Sequence, residues 1–193
     1  MKGKNILLIL ALIVVIGGGT VLYNALKDTA SLPDLLTSPS GQQAQNLPPD
    51  EEDIERIKAP DFAVEDAGGN EIKLSDMLGK PIVLNFWASW CPPCKGEMPD
   101  FDLVFAELGD NIQFMMVDAV DGSRETKAKG AAYIAEQGFT FPVFYDTNQD
   151  AVRQYGIRAF PTSIFIDSEG YIITAAEGAI SEEALRKGID LIK

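Results

Sequence analysis

Apolar residues along this chain fall into distinct regimes, and the changes between them divide it. From Ile6 to Tyr23 no charge interrupts an 18-residue run that is nearly all apolar as far as Ile16. As a helix rising ~1.5 Å per residue, it spans roughly 27 Å, close to the hydrocarbon thickness of a bilayer. Residues 27–58 then lose apolar periodicity, although Ile54 and Ile57 can begin to pack. Pro33, Pro39, Pro48 and Pro49 punctuate this stretch, and Asp50, Glu51, Glu52, Asp53 and Glu55 form an acidic cluster. It reads as a solvated linker with a mean span of roughly 30 Å. The expected organisation is a segment 1–26 that anchors or targets, a linker 27–58 and a folded domain 59–193.

Within the domain, short apolar runs alternate with helical spacing. Phe62–Val64 and Ile72–Leu74 flank the turn-forming Ala67-Gly68-Gly69-Asn70 and predict an N-terminal hairpin. Residues 81–87 (PIVLNFW) form a near-continuous apolar run of the kind that makes a central strand covered on both faces. Phe101, Val104, Phe105 and Leu108 recur at helical spacing up to Gly109. Ile112–Val117 predicts a strand, Ser123 an N-cap for a helix running to Gln137 and closed by Gly138, and Pro142–Tyr145 a short strand. Ala151–Tyr155 reads as a short helix. Ser163–Asp167 and Tyr171–Ala176 read as a second hairpin turning at Ser168-Glu169-Gly170. Ser181 caps a last helix that turns Leu185, Ile189 and Ile192 inward. This order predicts an α/β domain with a mixed central sheet and helices on both faces. Met115, Met116, Phe144, Phe165 and Trp87 are expected in its core.

Charge and composition narrow the chemistry. Lys2 and Lys4 precede the apolar run, while Lys27 and Asp28 cancel after it, so the domain is expected on the extracytoplasmic side. Gly17, Gly18 and Gly19 leave a cleaved signal, and hence a secreted domain, as the rival to a single-pass anchor. The chain holds no histidine and two cysteines, and its formal charge is −13. Ser-His-Asp and Cys-His catalysis are excluded, as is a Cys/His structural zinc site. Residues 59–193 carry 11 Lys/Arg against 22 Asp/Glu, which argues against nucleic acid and against an anionic surface.

Both cysteines lie in Cys91-Pro92-Pro93-Cys94, directly after the apolar strand and at the start of a helix. A C-x-x-C pair there brings two sulfurs together in the first turn, where free N–H groups and the helix dipole favour a thiolate on the first. Cys91 is expected to be the exposed nucleophile and Cys94 the buried resolving thiol. Half of a metal site or a structural disulfide are the plainer alternatives. No second cysteine pair supports the first, and so short a loop constrains the unfolded chain too little for the second.

The segment Asn85–Pro99 (NFWASWCPPCKGEMP) resembles the active-site segment of the thioredoxin fold. More closely, it resembles the membrane-anchored TlpA/ResA-type thiol–disulfide oxidoreductases. The resemblance runs from about Ala59 to Lys193 and includes Ala59-Pro60-Asp61-Phe62 and Phe160-Pro161-Thr162. It implies a cis peptide bond at Pro161, which packs beside the cysteines, and a substrate strand paired with the backbone of Phe160. Trp90, Pro92, Pro93, Phe160 and Thr162 then form the substrate-facing surface, with Trp90 shielding Cys91. Asn85 stands where thioredoxin has a buried aspartate, and Glu97 matches a glutamate typical of the type. Glu97, one turn after Cys94, is the candidate proton relay; a solvent-exposed helix glutamate is the plainer reading. Pro99 is expected to kink the helix. No metal or cofactor is implied, and a monomer is expected.

Function follows as an expectation: reduction of disulfides in exported proteins, apocytochrome c among them, with a membrane thiol carrier as electron donor. A peroxidase of the same fold would place a proline and a threonine where this chain has Leu84 and Ala88. A copper-delivery module would need wider cysteine spacing and a histidine. A non-catalytic module with incidental thiols remains as the last alternative.

Overall fold

The computed structural model describes residues 56–193; the expected anchor and most of the expected linker lie outside them. Among the described residues, no helix is long and apolar enough to cross a membrane. The elements in chain order are β1 (Ala63–Glu65), β2 (Glu71–Lys73), a 3-10 helix (Leu74–Met77), β3 (Ile82–Trp87), α1 (Pro92–Leu108), β4 (Gln113–Asp118) and α2 (Lys127–Gln137). They continue with β5 (Val143–Tyr145), α3 (Asp150–Gln154), β6 (Thr162–Ile166), β7 (Ile172–Glu177) and α4 (Glu182–Asp190).

Seven strands form one sheet in the order β2-β1-β5-β4-β3-β6-β7. β3, β4 and β5 run parallel, joined through α1 and α2; β1, β2, β6 and β7 pair antiparallel. Every residue of β3 is buried, as its unbroken apolar run requires of a strand covered on both sides. Removing each of its Ile, Leu and Phe side chains from water contributes roughly 1.5–3 kcal/mol. One core cluster gathers Val83 and Trp87 of β3, Met98 and Phe101 of α1, and Leu185 and Ile189 of α4. The other gathers Ile82, Leu84 and Phe86 with Phe62, Leu74 and Ala151. Alternate side chains of β3 therefore serve opposite layers. Met115, Met116, Phe144 and Phe165 are buried, as expected.

Most boundaries fall within one residue of the sequence reading, and the start of α2 departs furthest. β2 ends at Lys73, and Leu74 opens the 3-10 helix, where the Asp76 carboxylate accepts from the Lys73 N–H at 2.9 Å. β4 runs one residue later than expected. α2 starts at Lys127 rather than after Ser123. The Asp121 carboxylate accepts from the N–H groups of Ser123 (2.7 Å) and Glu125 (2.9 Å) and holds a turn in place of the first helical turn. Thr126 is the cap instead, its Oγ1 accepting from the Lys129 N–H. The helix ends at Gly138, whose φ of 73° suits a residue without a Cβ.

Candidate active site

The apolar run of β3 carries the chain to the end of the sheet, where it turns into α1. Cys91 is the N-cap of that helix, Pro92 and Pro93 occupy its first two positions, and Cys94 follows inside the first turn. Proline fits there because the N–H it lacks has no helical acceptor. The spacing sets the two Cα atoms 5.3 Å apart, and the sulfurs are joined as a disulfide. One backbone N–H reaches Cys91 Sγ within the turn, that of Cys94 at 3.2 Å. Pro92 and Pro93 are exposed.

Cys91 is not the exposed residue anticipated. It is 2% accessible against 0% for Cys94. Its sulfur is tied to the buried Cys94, and Trp90 and Phe160 pack against the same apolar cluster. The two rings meet edge to face with centroids 6.0 Å apart. Phe160 belongs to the segment that leads into β6, and the Phe160–Pro161 peptide bond is cis. β6 runs antiparallel to β3 with Thr162 opposite Phe86, so Pro161 sits at the end of the sheet from which the Cys91 loop emerges. The Thr162 hydroxyl donates to the Ala159 carbonyl at 2.9 Å and so braces this turn.

Glu97 lies on the buried side of α1 and is 2% accessible, not a solvent-facing helix residue. Its Oε1 accepts from Asn85 Nδ2 and its Oε2 from the Ile180 N–H, both at 2.9 Å. Burial pushes its pKa up to about 7, against the pull of these two hydrogen bonds, with a smaller upward push from the Asp100 charge. The carboxyl therefore changes charge near neutral pH, one helical turn from Cys94. Pro99 stands inside α1, where its missing N–H leaves the Lys95 carbonyl without its helical partner.

Sequence reasoning missed a second set of groups. Glu125, fully buried, accepts from the Ser89 N–H at 2.7 Å and from the Ser89 hydroxyl at 2.7 and 3.0 Å, which pins the loop just before Cys91. The neighbouring Arg124 guanidinium lies 3.4 Å over the Trp90 ring. Asp118 ends β4 opposite Trp87 and is fully buried, with neither carboxylate oxygen hydrogen-bonded among the described residues. Burial pushes its pKa up to about 8, helped by the charges of Glu125 and Asp121. Gly130 leaves room for it, since a Cβ there would overlap Asp118 Oδ2. The only trace in the sequence was an acid closing the apolar strand. Among the described residues, no group of three or more His, Cys, Asp or Glu is placed to hold a metal ion.

Comparison with known proteins agrees with this geometry. Residues 56–175 match the AhpC/TSA family. The thiol-disulfide oxidoreductase ResA of Halalkalibacterium halodurans is 31% identical over 137 residues, 70% of this chain and 76% of that protein. The crystal structure of a putative thiol:disulfide interchange protein DsbE from Chlorobium tepidum is 32% identical, with a TM-score of 0.63, and covers 69% of this chain and 94% of its own. The exposed lipoprotein thioredoxin of Streptococcus pneumoniae, 29% identical with a TM-score of 0.61, covers 68% of this chain and 98% of its own. With its cysteine pair closed at the head of α1, this chain belongs to the AhpC/TSA family and, within it, to the ResA-type thiol–disulfide oxidoreductases.

Proposed function

We propose that the protein works outside the cytoplasm as a reductase of disulfides in exported proteins, held to the membrane by residues 1–26 and recharged by a membrane thiol carrier. One observation carries the direction of electron flow. With proline at the first two helical positions, only the Cys94 N–H among the described residues is directed at Cys91 Sγ. A thiolate so sparsely stabilised makes a reducing couple. The extracytoplasmic address draws support from the apolar N-terminal run and from the likeness to an exposed lipoprotein thioredoxin. Apocytochrome c is the substrate we favour, by the kinship with ResA.

In the reduced protein, the Cys91 thiolate attacks one sulfur of a substrate disulfide and releases the other as a thiolate, forming a mixed disulfide. Glu97, as carboxylate, takes the Cys94 proton. The Cys94 thiolate then attacks Cys91 Sγ and closes the intramolecular disulfide. Two electrons pass to the substrate; of its two thiolates, one takes the proton held by Glu97 and the other takes from solvent the proton that Cys91 released on ionising. Trp90, Pro92, Pro93, Phe160, Pro161 and Thr162 form the surface against which the substrate strand lies. A peroxidase reading lacks its activating hydroxyl, since position 88 is a buried alanine.

Redox titration of the Cys91/Cys94 couple tests the direction. A potential well below that of DsbA, about −120 mV, is expected, and a value near it overturns the reductase reading. In a Cys94→Ser variant, exported proteins should accumulate as mixed disulfides on Cys91. A variant that collects none while turning over small-molecule oxidants would exclude a protein substrate.

A further inference from the structure

The Glu97 site poses a hydrogen-bond accounting problem. Both its oxygens accept, Oε1 from Asn85 Nδ2 and Oε2 from the Ile180 N–H. That arrangement suits a carboxylate. A neutral carboxyl carries an O–H that must donate, and neither partner accepts. The backbone N–H cannot change its role, but the amide can. Asn85 is fully buried, and its Nδ2 also donates to Ser163 Oγ at 3.0 Å, while its Oδ1 has no partner among the described residues. A half-turn of the amide brings Oδ1 to face Glu97 and Ser163 together. Its two lone pairs then accept the Glu97 O–H and the Ser163 O–H.

The two orientations match the two protonation states of Glu97. Around this carboxyl, β3 contributes Asn85, β6 contributes Ser163, and the segment after β7 contributes the Ile180 backbone. Its own helix contributes the cysteine pair one turn before and Asp100, the charged neighbour. An aspartate at position 85 would repel the carboxylate and could not donate as an anion. A leucine could serve neither state.

We propose that Asn85 is a positioning residue for the proton step: its amide turns over as Glu97 gains or loses its proton, keeping the buried carboxyl hydrogen-bonded in both states. This rests on the reading of Glu97 as the proton acceptor of the dithiol.

The test uses the full oxidised chain labelled with 15N at asparagine. Above the Glu97 midpoint, the Asn85 amide protons should show cross-peaks to Ser163 Hβ, and these should fade on acidification through that midpoint. In Glu97→Gln the pattern should be independent of pH. In Asn85→Leu both hydrogen bonds are lost. Because the one to the charged carboxylate is the stronger, the Glu97 carboxyl, followed by its 13C resonance, should titrate higher, but by less than the roughly tenfold change in proton affinity expected from losing a donor that serves the carboxylate alone, and the pH profile of disulfide exchange should move with it. Cross-peaks that persist unchanged through the Glu97 titration overturn the proposal, as does an unmoved midpoint in a folded Asn85→Leu. If Asn85→Leu does not fold, the wild-type and Glu97→Gln spectra decide alone. Loss of exchange activity in Cys91→Ser reports separately on the function itself. An amide that follows Glu97 in a protein unable to reduce disulfides upholds the coupling and overturns only the reductase reading.

Discussion

Glu97 links the chemistry of the pair to the stability of the fold. Its carboxyl binds a proton more tightly in the folded protein than in the unfolded chain, because burial disfavours the charge. The sign follows: the stabilisation is complete below the unfolded value near 4.5 and is lost as pH rises through about 7. A shift of this size corresponds to about 3 kcal/mol. Urea unfolding of wild type against Glu97→Gln from pH 4 to 8 should show wild type losing stability across this window relative to the variant. At the level of turnover, Glu97→Gln should slow the resolving step roughly 10²-fold, measured as the decay of a preformed mixed disulfide on Cys91. Asp118 obeys the same sign, with its window reaching about 8. Asp118→Asn should therefore flatten the fall in melting temperature between pH 4 and 8. Neither group was fully legible in the sequence. Glu97 could be placed on a helix turn, but its burial depends on an N–H 83 residues away in sequence. Asp118 depends on a glycine of another element for its space.

At the scale of elements, the strands and the helix carrying the cysteines were readable because their signals are local. β3 is an unbroken apolar run, and α1 announces itself by paired prolines and helical apolar spacing. The start of α2 was not readable. Ser123 has the composition of a cap, but Asp121 takes its N–H, and the turn so formed delivers Glu125 to Ser89 and Arg124 to Trp90. This turn acts as a clamp on the active-site loop. Glu125→Ala would leave the Ser89 donors unpaired in a part-buried place and should cost about 1–3 kcal/mol in chemical denaturation. Gly130→Ala should destabilise despite the better helix propensity of alanine, because its Cβ meets Asp118. In a double-mutant cycle with Asp118→Ala, the two changes should couple by about 1 kcal/mol or more, since removing the carboxyl frees the space.

The whole molecule is acidic, with a formal charge of −13, and this bears on which partners approach. Disulfide peptides of opposite charge should react at different rates at low salt, the basic one faster. The gap should close near 1 M salt, where the screening length falls to about 3 Å. Equal rates at low salt would assign the charge to solubility alone. The order of the sheet has a consequence in time as well as in space. Cys91 leaves β3, the Asp121–Thr126 clamp follows β4, and Phe160–Pro161 arrives with β6, which docks on the opposite side of β3 from β4. A nascent chain that has released only its first strands carries an ordinary dithiol, with neither the clamp nor the cover of Phe160 around it. The cover over its thiols is complete only when β6 has docked. The rate of thiol modification during refolding is thus a clock for completion of the sheet.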